Sequence, residues 1–297
     1  MTARERGFLL LSSQLGDPNR RPLTVPQLRT LAQRTRNMEP PAQNRDLTET
    51  DLISIGISRE QAQKILSLLN DDALLDHYLH RGCRANCIPL SRLSDHYPMA
   101  VRNRLGDDAP GCIWARGDLA LLALPAVALV GSRDICGSNL EFAKEVGRQA
   151  AKQGFVLVSG NARGADKAAQ ESCLAAGGQV IAVVADELER HNPTPHKLYI
   201  SEDSFDLPFS PIRALSRNRI IHCMGLRTFV AQCAYQQGGT WDGTVKNLRF
   251  GWSPVYCYDD RSPAMELLQN MGAESVTTGD LHNFLDLQNS YSSLFDQ

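Results

Sequence analysis

AVALVG (126–131), EFAKEVGRQAAKQG (141–154), FVLVSG (155–160), DKAAQESCLAAGG (166–178) and QVIAVVA (179–185) stand in that order in the middle of the chain. The first, third and fifth are short, valine-rich apolar runs; the second and fourth carry apolar residues at helical spacing. The short runs do not alternate polar with apolar residues. That pattern predicts strands covered on both faces, hence a parallel sheet between two layers of helices. Because crossovers between parallel strands are right-handed, the expected fold is α/β, doubly wound and mostly parallel.

Toward the carboxyl end the theme continues. LRTFVAQC (226–233), SPVYCYD (253–259) and AESVT (273–277) read as strands, with helices through TVKNLRFG (244–251) and AMELLQNMG (264–272). Toward the amino end the text changes. Phe8, Leu9, Leu11, Leu28 and Leu31 predict two short helices joined by GDPNRRP (16–22) and closed by a loop at 37–46. In LTETDLISIGISREQAQKILSLL (47–69), Thr48 caps a helix, Gly56 ends it, and Ser58 with Gln61 opens the next. The expected division is therefore a small all-helical unit over 1–82, with a helix-hairpin-helix or SAM-like segment at 47–70. An extended lead-in follows over 83–125, a strand at 87–90 and otherwise irregular, and then the α/β unit over 126–297. Such a hairpin can offer backbone amides to a phosphate. The turn SIGIS (54–58) carries no basic residue, which favours a purely structural helical pair.

With 297 residues, 42% of them hydrophobic, the chain can bury a large core beside a smaller one. Its 31 Lys and Arg against 33 Asp and Glu leave a formal charge of −2, so any hold on nucleic acid has to come from a local cluster of cations. LALLALPAVALVG (119–131) is interrupted by Pro125 and too short to span a bilayer, and no signal peptide is legible, so a soluble cytoplasmic protein is expected. The eight cysteines, mostly single in apolar stretches, suit a reducing compartment. His77, His80, Cys83 and Cys87 have a spacing that could serve zinc; the other reading puts both histidines on the solvent side of a helix ending near Gly82.

In a doubly wound sheet ligands bind beyond the carboxyl ends of the strands. After the first strand comes GSRDICGS (131–138): Gly131 permits the turn, Ser132 offers a hydroxyl and an amide, Arg133 a cationic fork. After the second comes SGNARGAD (159–166), in which Ser159, Gly160 and Gly164 allow close backbone approach, Arg163 and Lys167 project from the following turn, and Asp166 caps or pairs. SRNRIIHC (216–223) brings Arg217, Asn218 and Arg219 together just before an apparent strand, with His222 in the core. QQGGTWDGTVK (236–246) starts a helix with Gly238, Gly239 and Thr240. The glycine spacing is not that of a dinucleotide fingerprint, and no partner acid or histidine accompanies Asp166, so neither a cofactor nor an active site is expected. Of Trp114, Trp241 and Trp252, only Trp241 lies where it could stack on a base.

The order GSR, SGNARGAD, SEDSFDLPFSPIRALSRNRII (201–221) and GGTWDGT (238–244) resembles the DprA/Smf DNA-processing proteins, together with the lead-in YPMAVRNRLGDDAPGCIWARGDLALLALPAVALVGSR (97–133) and the tail 262–285. The resemblance implies a Rossmann-like domain that holds single-stranded DNA by its phosphates, homodimerisation, and delivery of the strand to a RecA-type recombinase in natural transformation or recombination. By motif position Arg133, Arg163, Lys167, Arg217 and Arg219 would be the phosphate ligands. The sequence departs from the pattern at Ala165, Gln170, Gln232 and GGT (238–240), and a carboxyl-terminal winged helix is not expected. The alternative is a site for a nucleotide or its derivative. The nucleotide phosphoribohydrolases carry a G-G-x-G-T loop that GGTWDGT superficially resembles, but Asp242 is misplaced as a general acid.

Overall fold

The computed structural model describes residues 1–36, 38, 46–202 and 204–287; the loop expected at 37–46 lies almost wholly outside them. Among the described residues nine strands form a single sheet in the order β1-β2-β6-β5-β4-β3-β7-β8-β9. The parallel part comprises β3 (Ala126–Val130), β4 (Val156–Ser159), β5 (Gln179–Val184), β6 (Lys197–Glu202), β7 (Thr228–Val230), β8 (Val255–Tyr258) and β9 (Glu274–Val276). At one edge β2 (Cys112–Arg116) runs antiparallel to β6, and β1 (Ile88–Ser91) antiparallel to β2. The doubly wound α/β reading of the sequence describes this sheet.

The absence of alternation in the sequence has a simple cause. In β3, Ala126, Ala128 and Val130 enter one apolar core and Val127 and Leu129 the other, all five buried. The period of two survives in where the side chains go, because helices cover both faces. On one face lie α7 (Gly137–Lys152) and α8 (Ala165–Ala175), packed so closely that a side chain on Gly147 would meet the backbone of Ala169. On the other lie α9 (Pro211–Met224), α10 (Gly238–Phe250) and α11 (Pro263–Asn270), with α6 (Met99–Leu105) against α9.

Three segments differ from expectation. SRNRIIHC is not the approach to a strand but the body of α9, which begins at the Ser210 cap followed by Pro211. A short buried apolar run looks the same in a helix as in a strand, which is why IIHC misleads. CIWAR, expected as irregular lead-in, is β2, and KLYISE is β6, a strand the sequence reading did not single out.

The amino-terminal helices are α1 (Ala3–Ser12), α2 (Val25–Thr35), α3 (Glu49–Ser54), α4 (Arg59–Leu69) and α5 (Asp72–Arg84). Leu23, Leu31, Leu52, Ile57, Ala62, Ile65 and Leu68 form a core of their own. Gly56, at φ +83°, makes the α3–α4 turn; Ser58 accepts from Gln61 N, and Arg34 donates to the Gly56 carbonyl. Ser58 thus caps one amide of α4, and α2 reaches over to hold the turn carbonyl. Leu9, Leu10, Leu75 and Tyr78 share another core with Trp114, Val184 and Phe205, which joins the helices to the sheet edge. Cys87 is buried in that same core, and no group of three or more His, Cys, Asp or Glu among the described residues is placed to hold a metal ion. No helix among them is long and apolar enough to cross a membrane.

Candidate functional site

β3 and β7 are neighbours, but the chain leaves them in opposite directions, β3 toward β4 and β7 toward β8. The loops beyond them separate and leave a crevice at this switch point. A cleft of about 480 Å³ opens there, lined by Gly131, Ser132, Arg133 and Asp134 after β3, Ala162 and Asp166 after β4, Phe209, Arg217 and Asn218 on the approach to and along α9, and Gly238, Gly239 and Thr240 at the start of α10. A second cavity of about 300 Å³ adjoins it and shares Arg133, Ala162, Phe209 and Arg217, while adding Gly160, Asn161, Arg163 and Asp186. The two form a trough across the carboxyl ends of β7, β3, β4 and β5.

Local contacts hold the loops in register. Gly164 is left-handed (φ +82°), and a side chain there would sit 2.5 Å from Ser132 O; the next amide, of Ala165, donates to that same oxygen at 3.1 Å. The glycine therefore lets the loops after β3 and β4 lie against each other. A side chain on Gly160 would collide with Arg217 Nη1 and sit 2.6 Å from Asp166 Oδ2. Its absence admits an arginine and an aspartate to the floor of the trough.

Arg217 is 6% exposed and donates through Nη1 to Val183 O at 2.5 Å. Burial lowers its pKa, partly offset by Asp166. Asp166, 7% exposed, accepts from Ala162 N at 3.2 Å; burial pushes its carboxyl up to about 6 against the opposing pull of Arg217, the two backbone N–H groups and Arg133. Arg133 lies with its guanidinium carbon 5.9 Å from the centre of the half-exposed Phe209 ring. Arg163 and Asp134, both well exposed, pair at 2.8 Å.

Other expected residues play different parts. Ser159 is fully buried and its hydroxyl accepts from Gln170 Nε2 at 2.5 Å, so it faces the core and not the trough. Thr240 Oγ1 donates to Gly131 O at 3.0 Å, and Asn218 Nδ2 to Gly239 O at 2.9 Å, so both tie loops together along the lining. Lys167 faces a shallow groove between α7 and α8 with Lys144 and Glu171. Arg219, two residues from Arg217 on a helix, points the other way: it pairs with Glu202 and donates to Asp108 O at 2.8 Å. Trp114 and Trp252 are buried, and Trp241 packs against the core beside Tyr235, so the aromatic ring in the trough is Phe209. His222 is a core residue as expected, though on α9; burial pulls its pKa down to about 3.

Sequence reasoning missed Asp186, Asn161 and Phe209, and gave Asp134 no part. The rule that finds ligand residues just after strands, applied to β5 as well, would have reached Asp186.

The family model for DNA recombination-mediator protein A matches residues 89–280. The chain belongs to that family. Among curated relatives of this recombination-mediator family, the DNA processing protein DprA of Streptococcus pneumoniae is 32% identical over 202 residues, which are 64% of this chain and 71% of that protein. The X-ray structure of DprA from the same organism superposes with a TM-score of 0.73 over 97% of this chain and 99% of the other at 24% identity, a likeness of fold. DNA processing protein A from Helicobacter pylori, whose structure was described for its single-stranded DNA binding mode, covers 67% of this chain and 95% of its own length at TM-score 0.57 and 24% identity.

Proposed function

We propose that this recombination-mediator family member binds single-stranded DNA along the trough, with phosphates at the Ser132–Arg133 loop, Arg217 and the glycine start of α10, and bases turned out against Phe209. The observation that carries this reading is the continuity of the two cavities. A trough that shares Arg133, Phe209 and Arg217 and runs past the ends of four strands offers room for successive nucleotides, where a single nucleotide asks for one closed pocket. A buried Arg217 at the floor also favours a flexible strand over a stiff duplex. The described Helicobacter relative binds single-stranded DNA, and the family name supports a role in recombination.

The finer reading follows the family resemblance: a homodimer in the cytoplasm that hands the strand to a RecA-type recombinase and acts by binding and not by catalysis. The acids in the trough support the absence of chemistry, since Asp166 is spent on backbone amides and Asp186 on His191 at 2.8 Å. The expectation of a basic groove is modified by geometry, because Asp134, Asp166 and Asp186 stand among Arg133, Arg163 and Arg217.

Fluorescence anisotropy with labelled oligothymidine, set against the corresponding duplex and against free nucleotides, tests the reading. Single strands are expected to bind at least tenfold more tightly than duplex, and the double variant Arg133→Ala/Arg217→Ala to lose that binding. Equal affinity for duplex, or full binding by the variant, contradicts it.

A further inference from the structure

Each acid in the trough has a different situation. Asp134 is exposed and engaged by Arg163. Asp186 is held by His191. Asp166 alone of the three is buried on the floor of the larger cleft, where its Oδ2 lies beside the Gly160 backbone and accepts from Ala162 N. The charged groups facing it are Arg217 from α9 and Arg133 from the loop after β3; Asp186, held by His191, acts in turn on Arg217.

Directly around Asp166 two guanidinium groups outnumber the one buried carboxylate by a single positive charge, Asp134 being paired with Arg163. A phosphodiester carries one negative charge. A phosphomonoester carries nearly two at neutral pH, its second pKa lying near 6. Away from bulk water the extra charge would meet the carboxylate at close range with little screening.

We propose that Asp166 is a specificity-determining residue that admits the phosphodiester backbone to this cleft and turns away phosphomonoesters, the terminal phosphate of a strand and free nucleotides among them. This rests on the single-strand reading above and names the phosphate class that site takes. The anion loops alone would favour the more highly charged monoester. Asp166 reverses that preference. Its two backbone hydrogen bonds keep it in place whether or not Arg217 is occupied by a ligand.

The test uses two probes that differ by one ester methyl and hence by one ionisable oxygen, thymidine 5′-monophosphate and its methyl ester, each displacing labelled oligothymidine from the full chain at pH 7.5. The native protein should bind the methyl ester at least tenfold more tightly than the monophosphate. Asp166→Asn, which keeps an oxygen for Ala162 N, should gain monophosphate affinity until the two differ by less than about threefold, the salt and buffer being unchanged. Asp166→Ser serves if the asparagine variant does not fold. A third arm needs no variant: the methyl ester does not titrate between pH 7.5 and 5, so its affinity for the native protein should rise as Asp166 takes up a proton. A tenfold preference that persists in the variants, a native protein that prefers the monophosphate, or a flat pH profile overturns the proposal. Failure of labelled oligothymidine to bind the native protein would instead remove the single-strand reading, which separates the two outcomes.

Discussion

Arginines at the open end of the sheet and arginines along its seam with the lead-in do opposite work. At the seam, Arg104 donates to Cys223 O and Gly225 O at 2.7 and 2.6 Å, closing the carbonyl end of α9, and Arg116 donates to Glu189 O at 2.6 Å. Arg219 takes Glu202 and Asp108 O, and beside the open end Arg213 gathers the carbonyls of Ala185, Leu207 and Pro208. At the open end, Arg133, Arg163 and Arg217 line cavities. Carbonyl oxygens draw arginines in both places, Arg217 included through Val183 O; what sets Arg133, Arg163 and Arg217 apart is that they also line the trough, beside helices that begin with free N–H groups. α9 carries both kinds two residues apart, at Arg217 and Arg219.

The largest effect that could break this comparison is on stability. Arg219→Ala leaves Glu202, whose side chain is 11% exposed, without its ion-pair partner, and should cost about 3 kcal/mol in denaturant unfolding. The folded protein should keep its single-strand affinity. A loss of affinity with stability intact would move Arg219 into the ligand group.

Asp166 offers the next test. Its folded pKa of about 6 lies above the usual 3.8, so between those values the folded protein keeps a proton that the unfolded chain has released. Stability should fall as pH rises through that window and level off above 6. Asp166→Asn should remove the fall, and its advantage over the native protein, on the order of 2 kcal/mol, should appear at pH 7.5 and shrink toward pH 4 in thermal unfolding. A variant less stable than the native protein at pH 7.5 would show that Asp166 is there to build the loop.

At the small end lie Ser159→Ala and Lys167→Ala. Neither side chain faces the trough, so single-strand affinity should change less than about twofold in either, measured by anisotropy. A tenfold loss for Lys167→Ala would extend the interface over the α7–α8 groove.

These contrasts mark what one sequence can and cannot convey. The alternation from β3 to β5 was legible because a doubly covered strand must be apolar throughout, and the glycine loops because strand ends are where a doubly wound sheet binds. α9 was not, since IIHC on a buried helix face has the composition of a strand. Nor was the split between Arg217 and Arg219: the letters give two charges, and only the helical turn between them sends one to Glu202 and the other to the trough. Nor was the direction of the Ser159 side chain, because a hydroxyl at a strand end faces ligand or core according to whether a residue such as Gln170 comes to meet it.

The most direct test of the account is the salt dependence of oligothymidine binding to the native protein and to Arg133→Ala. Two arginines reaching phosphates, Arg133 and Arg217, predict a slope of log affinity against log salt of about −1.4, at about 0.7 per contact on a single strand. Arg133→Ala should weaken binding by at least tenfold and flatten the slope by roughly 0.7. Affinity and slope that survive the substitution unchanged would contradict a phosphate-binding trough at the end of β3.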